Sequence, residues 1–224
     1  MKNHFFLLGI MFFLSVKTIM AQERQDNAWK SIFLDYSLSS SSTLRLETHL
    51  RTRQFFSEND QYLIRPSLNF RLGKFSAIAV GYTFLPTNTS LHRTLENNLW
   101  QQFNYSFPVK SSDHFGWIRL EQRWQRQNNV QNYGSRIRFR TGFIFPIYKR
   151  EKSFSQDLII FNEVFLHIKK SFPYQFNQNW TFIGIQNKFR NRLRLITGFQ
   201  RITVDKRMFY LHKNVWSTNL LYKL

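Results

Sequence analysis

Arginine and glutamate recur two residues apart along this chain. Arg45, Glu47, His49, Arg51 and Arg53 form one run, Arg119, Glu121 and Arg123 a second, and Arg136, Arg138 and Arg140 a third. Arg65 and Arg71, Glu96, Glu163, and Arg192 and Arg194 repeat the pattern elsewhere. Three kinds of chemistry are open to such a set. Carboxylates gripped by guanidinium forks form bidentate ion-pair ladders that fix a structure. An excess of arginine over glutamate can line a path that prefers anions. A histidine in a polar row can serve a nucleophile as general base. His49 is the one histidine clearly inside such a row. Ser37, Ser67 and Ser106 sit in none of the G-x-S-x-G settings that expose a nucleophile, so no catalytic residue is assigned. The histidines at 4, 49, 92, 114, 167 and 212 have no ligand spacing, so no metal is expected, and no motif calls for a cofactor.

The elements that carry these residues show a period of two. In GWIRLEQRWQRQ (116–127), Arg119, Glu121, Arg123 and Gln125 alternate with Ile118, Leu120, Gln122 and Trp124. The same alternation runs through 42–55, 61–72, 94–107 and 135–145. Successive side chains of a strand point to opposite faces, whereas helical spacing would wrap each charged set around the axis. The two-faced segments are about eleven to fourteen residues long, beyond the five or six usual in soluble strands and enough for a tilted strand to cross a bilayer. Eleven segments carry the pattern: 28–38, 43–55, 60–72, 75–85, 94–107, 114–127, 134–147, 156–168, 179–188, 192–203 and 212–224. Short connections follow 72 and 188, and longer ones follow 85, 127 and 168, as between periplasmic turns and outer loops. Bacterial barrels have even strand numbers, so ten or twelve strands are expected. The final STNLLYKL resembles a strand read by barrel-assembly machinery, although it ends in Leu224 rather than an aromatic residue.

The fold expected is therefore all-β: a transmembrane antiparallel up-and-down barrel of about ten to twelve strands, after an N-terminal signal peptide. Residues 1–21 have the signal layout, with Lys2, an apolar run from Phe5 to Val16 and a small residue at Ala21. Residues 22–224 form the barrel domain. With the leader removed, the formal charge falls from +19 to +17. There is no cysteine, hence no disulfide and no lipid-anchoring cut site. Strand length, the 18% aromatic content and the lack of a second apolar face count against a water-soluble sandwich. A charge facing lipid at the bilayer midplane costs about 2–4 kcal/mol, so the charged columns must face the lumen. Export and the inward columns exclude nucleic acid as a partner despite the basic pI. The expected location is the outer membrane of a Gram-negative bacterium, with outer-membrane lipid and lipopolysaccharide as partners. Basic residues between strands, Lys206 and Arg207 among them, would meet lipopolysaccharide phosphates wherever they lie in outer loops. Oligomeric state is open.

The order of several short motifs adds a family resemblance. Trp29 to Leu38 is followed by L-R-L-E-T-H-L-R-T-R (44–53), Y-L-I-R-P-S-L-N-F (62–70), V-G-Y-T-F (80–84), L-E-Q-R-W (120–124), R-I-R-F-R-T-G (136–142), N-E-V-F-L (162–166) and F-N-Q-N (176–179). The chain resembles the DUF2490 family of outer-membrane β-barrel proteins, frequent in Bacteroidetes-type bacteria. Where the family pattern has Arg after F-D-Q-N, this chain has Trp180. The resemblance implies a barrel and no particular activity. Two readings of the lumen stay open: Arg–Glu ladders that seal it, or a small anion-preferring channel. The alternative class is a barrel enzyme acting on outer-membrane lipid.

Overall fold

The computed structural model describes residues 22–53, 55, 58–88, 93–127, 130–150, 153–168, 176–190 and 192–224. The leader 1–21 and its cut after Ala21 lie outside the described residues, as does His92. The strands are β1 (Gln22–Ser37), β2 (Ser42–Arg53), β3 (Glu58–Arg71), β4 (Ser76–Asn88), β5 (Arg93–Val109), β6 (Ser112–Gln127), β7 (Val130–Arg150), β8 (Phe154–His167), β9 (Phe176–Phe189), β10 (Leu193–Asp205) and β11 (Tyr210–Lys223). Each pairs with its chain neighbour antiparallel, and β1 closes on β11 to complete a barrel.

The count falls within ten to twelve, but the even parity expected of it does not hold. All eleven segments are strands, and closure with an odd number makes the β1–β11 pair parallel. In that seam Gln22 lies opposite Tyr210 and Asp35 opposite Lys223, so the start of β1 and the end of β11 sit at opposite rims. Outside the barrel the seam is pinned by Asn214, which accepts from Arg201 Nη1 (2.7 Å) and donates to Asp26 Oδ1 (2.8 Å).

The strands also run further than the alternation alone marks. β4 continues through Pro86 to Asn88, and β7 begins at Val130 and spans 21 residues. The gaps after 85 and 127 therefore shrink, and only the 168–175 connection is long. That connection defines a loop end of the barrel. The opposite rim, with connections 38–41, 72–75, 110–111, 151–153 and 190–192, is the turn end.

The barrel is inside out relative to a water-soluble protein. On β6, Ile118 and Leu120 are 43% and 39% exposed on the outer wall, while Arg119 and Glu121 on the inner wall are 5% and 1% exposed. Hydrocarbon suits such an outside, and closure leaves no unpaired backbone edge for it to meet. Polar side chains on this wall satisfy one another across strands. The Gln101 and Gln122 amides exchange hydrogen bonds at 3.4 and 3.3 Å, and Asn162 and Asn179 do the same at 3.1 and 3.0 Å. Gln122, the one awkward member of its apolar column, is thereby accommodated. Aromatic groups mark both rims: Trp124 against Tyr133 (5.4 Å) toward the loop end, and Tyr105, Phe107 and Phe143 around His114 toward the turn end.

Candidate functional site

Register brings the charges together. Cross-strand partners include Glu47 with Arg65, Glu121 with Arg136, and Arg140 with Glu163. Directly opposed residues on one face lie within side-chain reach, so strand pairing alone presents each carboxylate to a guanidinium.

The densest cluster lies on β6, β7 and β8. Glu121 Oε2 accepts from Arg136 Nε (2.8 Å), and Glu121 Oε1 accepts from Arg138 Nη1 (2.7 Å). Arg138 turns its other edge to Glu163, donating to Oε1 from Nε (2.7 Å) and from Nη2. Arg140 holds Glu163 Oε2 from Nε at 2.8 Å. Arg138 is thus a bridge between two fully buried carboxylates. Arg119, directly opposite Arg138, hydrogen-bonds Gln102 Oε1 through Nε (2.6 Å) and lies 3.8 Å from Glu121. Nearby, Arg123 grips Glu96 with Nε (2.9 Å) and Nη2 (2.7 Å), and Arg65 donates to Glu47 (2.9 Å). Three pairs the sequence did not single out complete the set: Arg45 with Asp35 (bidentate, 2.6 and 2.7 Å), Arg53 with Asp60 (2.7 Å), and Lys188 with Asp157 (2.8 Å).

Two residues of the expected ladder stand apart from it. Arg71 is exposed at the turn-end tip of β3, and Arg192 is exposed in the turn before β10. Arg194, one step inside that turn, is half-buried and faces the lumen.

Rings share the lumen with the charges: Trp29, Trp100, Trp117, Trp180, Phe161 and Phe165 are inside. They stack on the arginines. Arg119 Cζ lies 4.0 Å from the Trp100 ring centre, Arg140 4.0 Å from Phe161, Arg138 4.3 Å from Phe165, and Arg51 4.2 Å from Trp29. A planar guanidinium can donate at its edge and stack on its face at once, and lysine cannot. Parity held the signal: Trp117 shares a column with Arg119, and Trp100 shares one with Asn98. Gly81 makes room for Trp100, since a Cβ there would fall 2.3 Å from its ring.

Arg51 sits where two cavities of the lumen meet. Its guanidinium lies over Trp29 and 5.8 Å from Trp180, and these two indoles meet edge-on at 5.4 Å. Trp29, Arg51 and Trp180 are shared by the lining of both cavities. The loop-end cavity, about 310 Å³, is also lined by Arg65, Arg123, Arg136, Arg138, Lys213 and Glu96. The turn-end cavity, about 400 Å³, is lined by Arg45, Arg51, Arg140 and Arg194, with no carboxylate among its described lining.

His49 faces the turn-end cavity beside Ser31, its cross-strand partner. The Ser31 hydroxyl lies 2.7 Å from His49 Nδ1, and His49 Nε2 lies 3.5 Å from Glu47 Oε2. An ionised Glu47 can only accept, so this geometry favours the tautomer with its proton on Nε2 and leaves Nδ1 to accept from Ser31. Serines 37, 67 and 106 are not the histidine's partner. Ser31 is, because register rather than sequence proximity selects it. Among the described residues no cluster of three His, Cys, Asp or Glu is placed to hold a metal ion.

A search of curated proteins found no match. Among solved structures, LpxR from Salmonella typhimurium is similar, with a TM-score of 0.48 and 5% identity over 81% of this chain and 83% of that one. The model of the family described as "Protein of unknown function (DUF2490)" matches residues 26–208, most of the barrel, and the chain belongs to that family.

Proposed function

We propose that this chain is an integral outer-membrane barrel whose lumen is closed at mid-height, so that it presents two separate cups rather than a pore. The observation that carries this reading is the cluster of Trp29, Arg51 and Trp180 where the two cavities meet, backed by the Glu121–Arg138–Glu163 bridge. The apolar outer wall and its aromatic rims fit a bilayer, and the tight turns of the turn end fit a periplasmic rim. Lipid and lipopolysaccharide are then the outer wall's partners.

Planar-bilayer recording of refolded protein tests the seal. Inserted protein should pass no discrete current. Stepwise, anion-preferring current from the wild type would make the arginine columns a conduction path and overturn this reading.

A second reading, a barrel hydrolase, is favoured by the Ser31–His49–Glu47 contact. There Ser31 Oγ would attack an ester carbonyl while its proton passes to His49 Nδ1; the ester C–O bond then breaks and the alcohol leaves with that proton, giving an acyl-Ser31 that water hydrolyses. A fluorophosphonate probe should then label Ser31 and fail on a folded His49→Ala variant. Absence of labelling in folded wild type removes this reading.

A further inference from the structure

We propose that the turn-end cup is a binding site for an organic anion with an apolar body, such as an aryl or short acyl carboxylate. The inference builds on the closed lumen, which makes this cavity a blind cup.

The cup's polar groups are donors in excess. Of its four arginines, Arg45 is committed to Asp35 and Arg140 to Glu163. Arg194 has no partner among the described residues. Arg51 donates through Nη1 to Gln61, in the lining of the loop-end cavity, and its Nε is buried without a partner. Gln200, 4% exposed, likewise has a buried Nε2 with no partner, and it lines the same cup. Arg194 is the donor the cup presents directly, and a ligand that supplies oxygen lone pairs and negative charge answers it; Arg51 Nε and Gln200 Nε2, closed off behind the wall, reach that ligand only by a small side-chain shift that also relieves their own missing bonds. Water could satisfy the N–H groups but would leave the guanidinium charges uncompensated.

The rest of the cup is apolar. Phe33, Phe115, Trp117, Phe161 and Phe182 supply aromatic wall on the same cavity. Gly184 and Gly198 face each other across β9 and β10, and a Cβ on either would strike the Phe182 ring, at 2.5 and 2.9 Å. A volume of about 400 Å³ falls in the range of small-molecule sites. A bare inorganic anion would leave this aromatic wall unused, and a neutral hydrocarbon would leave Arg194, Arg51 and Gln200 unanswered.

Trp29, Trp117 and Trp180 line the cup, so their fluorescence reports on it. The test titrates detergent-folded protein with 2-naphthoate, with neutral 2-naphthamide and inorganic phosphate as comparisons. The expected result is saturable quenching by naphthoate, at least tenfold weaker binding of naphthamide, and no displacement by phosphate at equal concentration. The Arg194→Gln, Gln200→Leu double variant should bind naphthoate at least tenfold more weakly while keeping the heat-modifiable gel mobility of a folded barrel. Equal binding of naphthamide would reduce the cup to a greasy pocket, and equal competition by phosphate would reduce it to a plain anion site. Either overturns the proposal, as does unchanged affinity in the double variant. A silent barrel that ignores naphthoate overturns the cup alone, and a conducting barrel that still binds it overturns the seal alone.

Discussion

At the scale of residues, the lumen is governed by what happens to a carboxylate that has no water. Glu163 is fully buried and holds two arginines, Arg138 and Arg140. Removing its charge leaves Arg140 without a carboxylate partner among the described residues and leaves Arg138 to Glu121 alone. Breaking one partner of a buried pair costs about 3–5 kcal/mol. Glu163→Gln should therefore lower the unfolding free energy of the detergent-solubilised barrel by about that amount, read from its denaturant midpoint. Glu163→Gln with Arg140→Met should recover part of the loss, because the second change removes one stranded charge. The outer wall obeys the opposite rule. Ile118→Arg puts a cation on the lipid-facing wall and should cost about 2–4 kcal/mol if the site is near the midplane, less toward a rim. The charged columns were legible because Arg119 and Glu121 cannot be placed in hydrocarbon. The inward tryptophans were legible only through the parity they share with polar neighbours such as Arg119 and Asn98, because an indole by itself is acceptable on either wall.

At the scale of elements, the period of two fixes which side of the wall a residue takes, but not where a strand stops or what lies at its far edge. β4 and β7 run past the segments 75–85 and 134–147 because Pro86 and the polar stretch from Val130 to Tyr133 read as connection, although strand pairing can extend past the membrane surface. The parity of the strand number was not legible either. Ten hairpin pairings follow from chain order, whereas the eleventh contact, between the two chain ends, is left to closure. Its parallel register makes a sharp prediction. Ile32 lies opposite Leu220, and both face outward. In a chain without cysteine, the Ile32→Cys, Leu220→Cys pair should cross-link with a short thiol reagent. The Ile32→Cys, Trp216→Cys pair, four residues out of register, should not, since each residue advances a strand by about 3.3 Å. Equal cross-linking of both pairs would mean that the seam slides.

At the scale of the whole molecule, an eleven-stranded wall encloses more space than ladders of arginine and glutamate alone can fill. The remainder is filled by rings. Trp180 packs edge-on against Trp29 with Arg51 over Trp29, where the two cavities meet. In the closed lumen proposed above, these two indoles carry the seal, with the Glu121–Arg138–Glu163 bridge behind them. Replacing both by alanine should join the loop-end and turn-end cavities, while Arg138, Glu121 and Glu163 keep the barrel folded. The joined path would be lined by Arg51, Arg65, Arg140 and Arg194, so it should admit anions before cations. In a planar bilayer with a tenfold KCl gradient, the Trp29→Ala, Trp180→Ala variant should therefore show discrete steps and a reversal potential of the sign set by chloride, where the wild type is silent. Silence from the folded double variant would move the seal to the Glu121–Arg138–Glu163 layer. Potassium-selective steps would show that Glu96 and Glu47, rather than the arginines, set the field along the opened lumen.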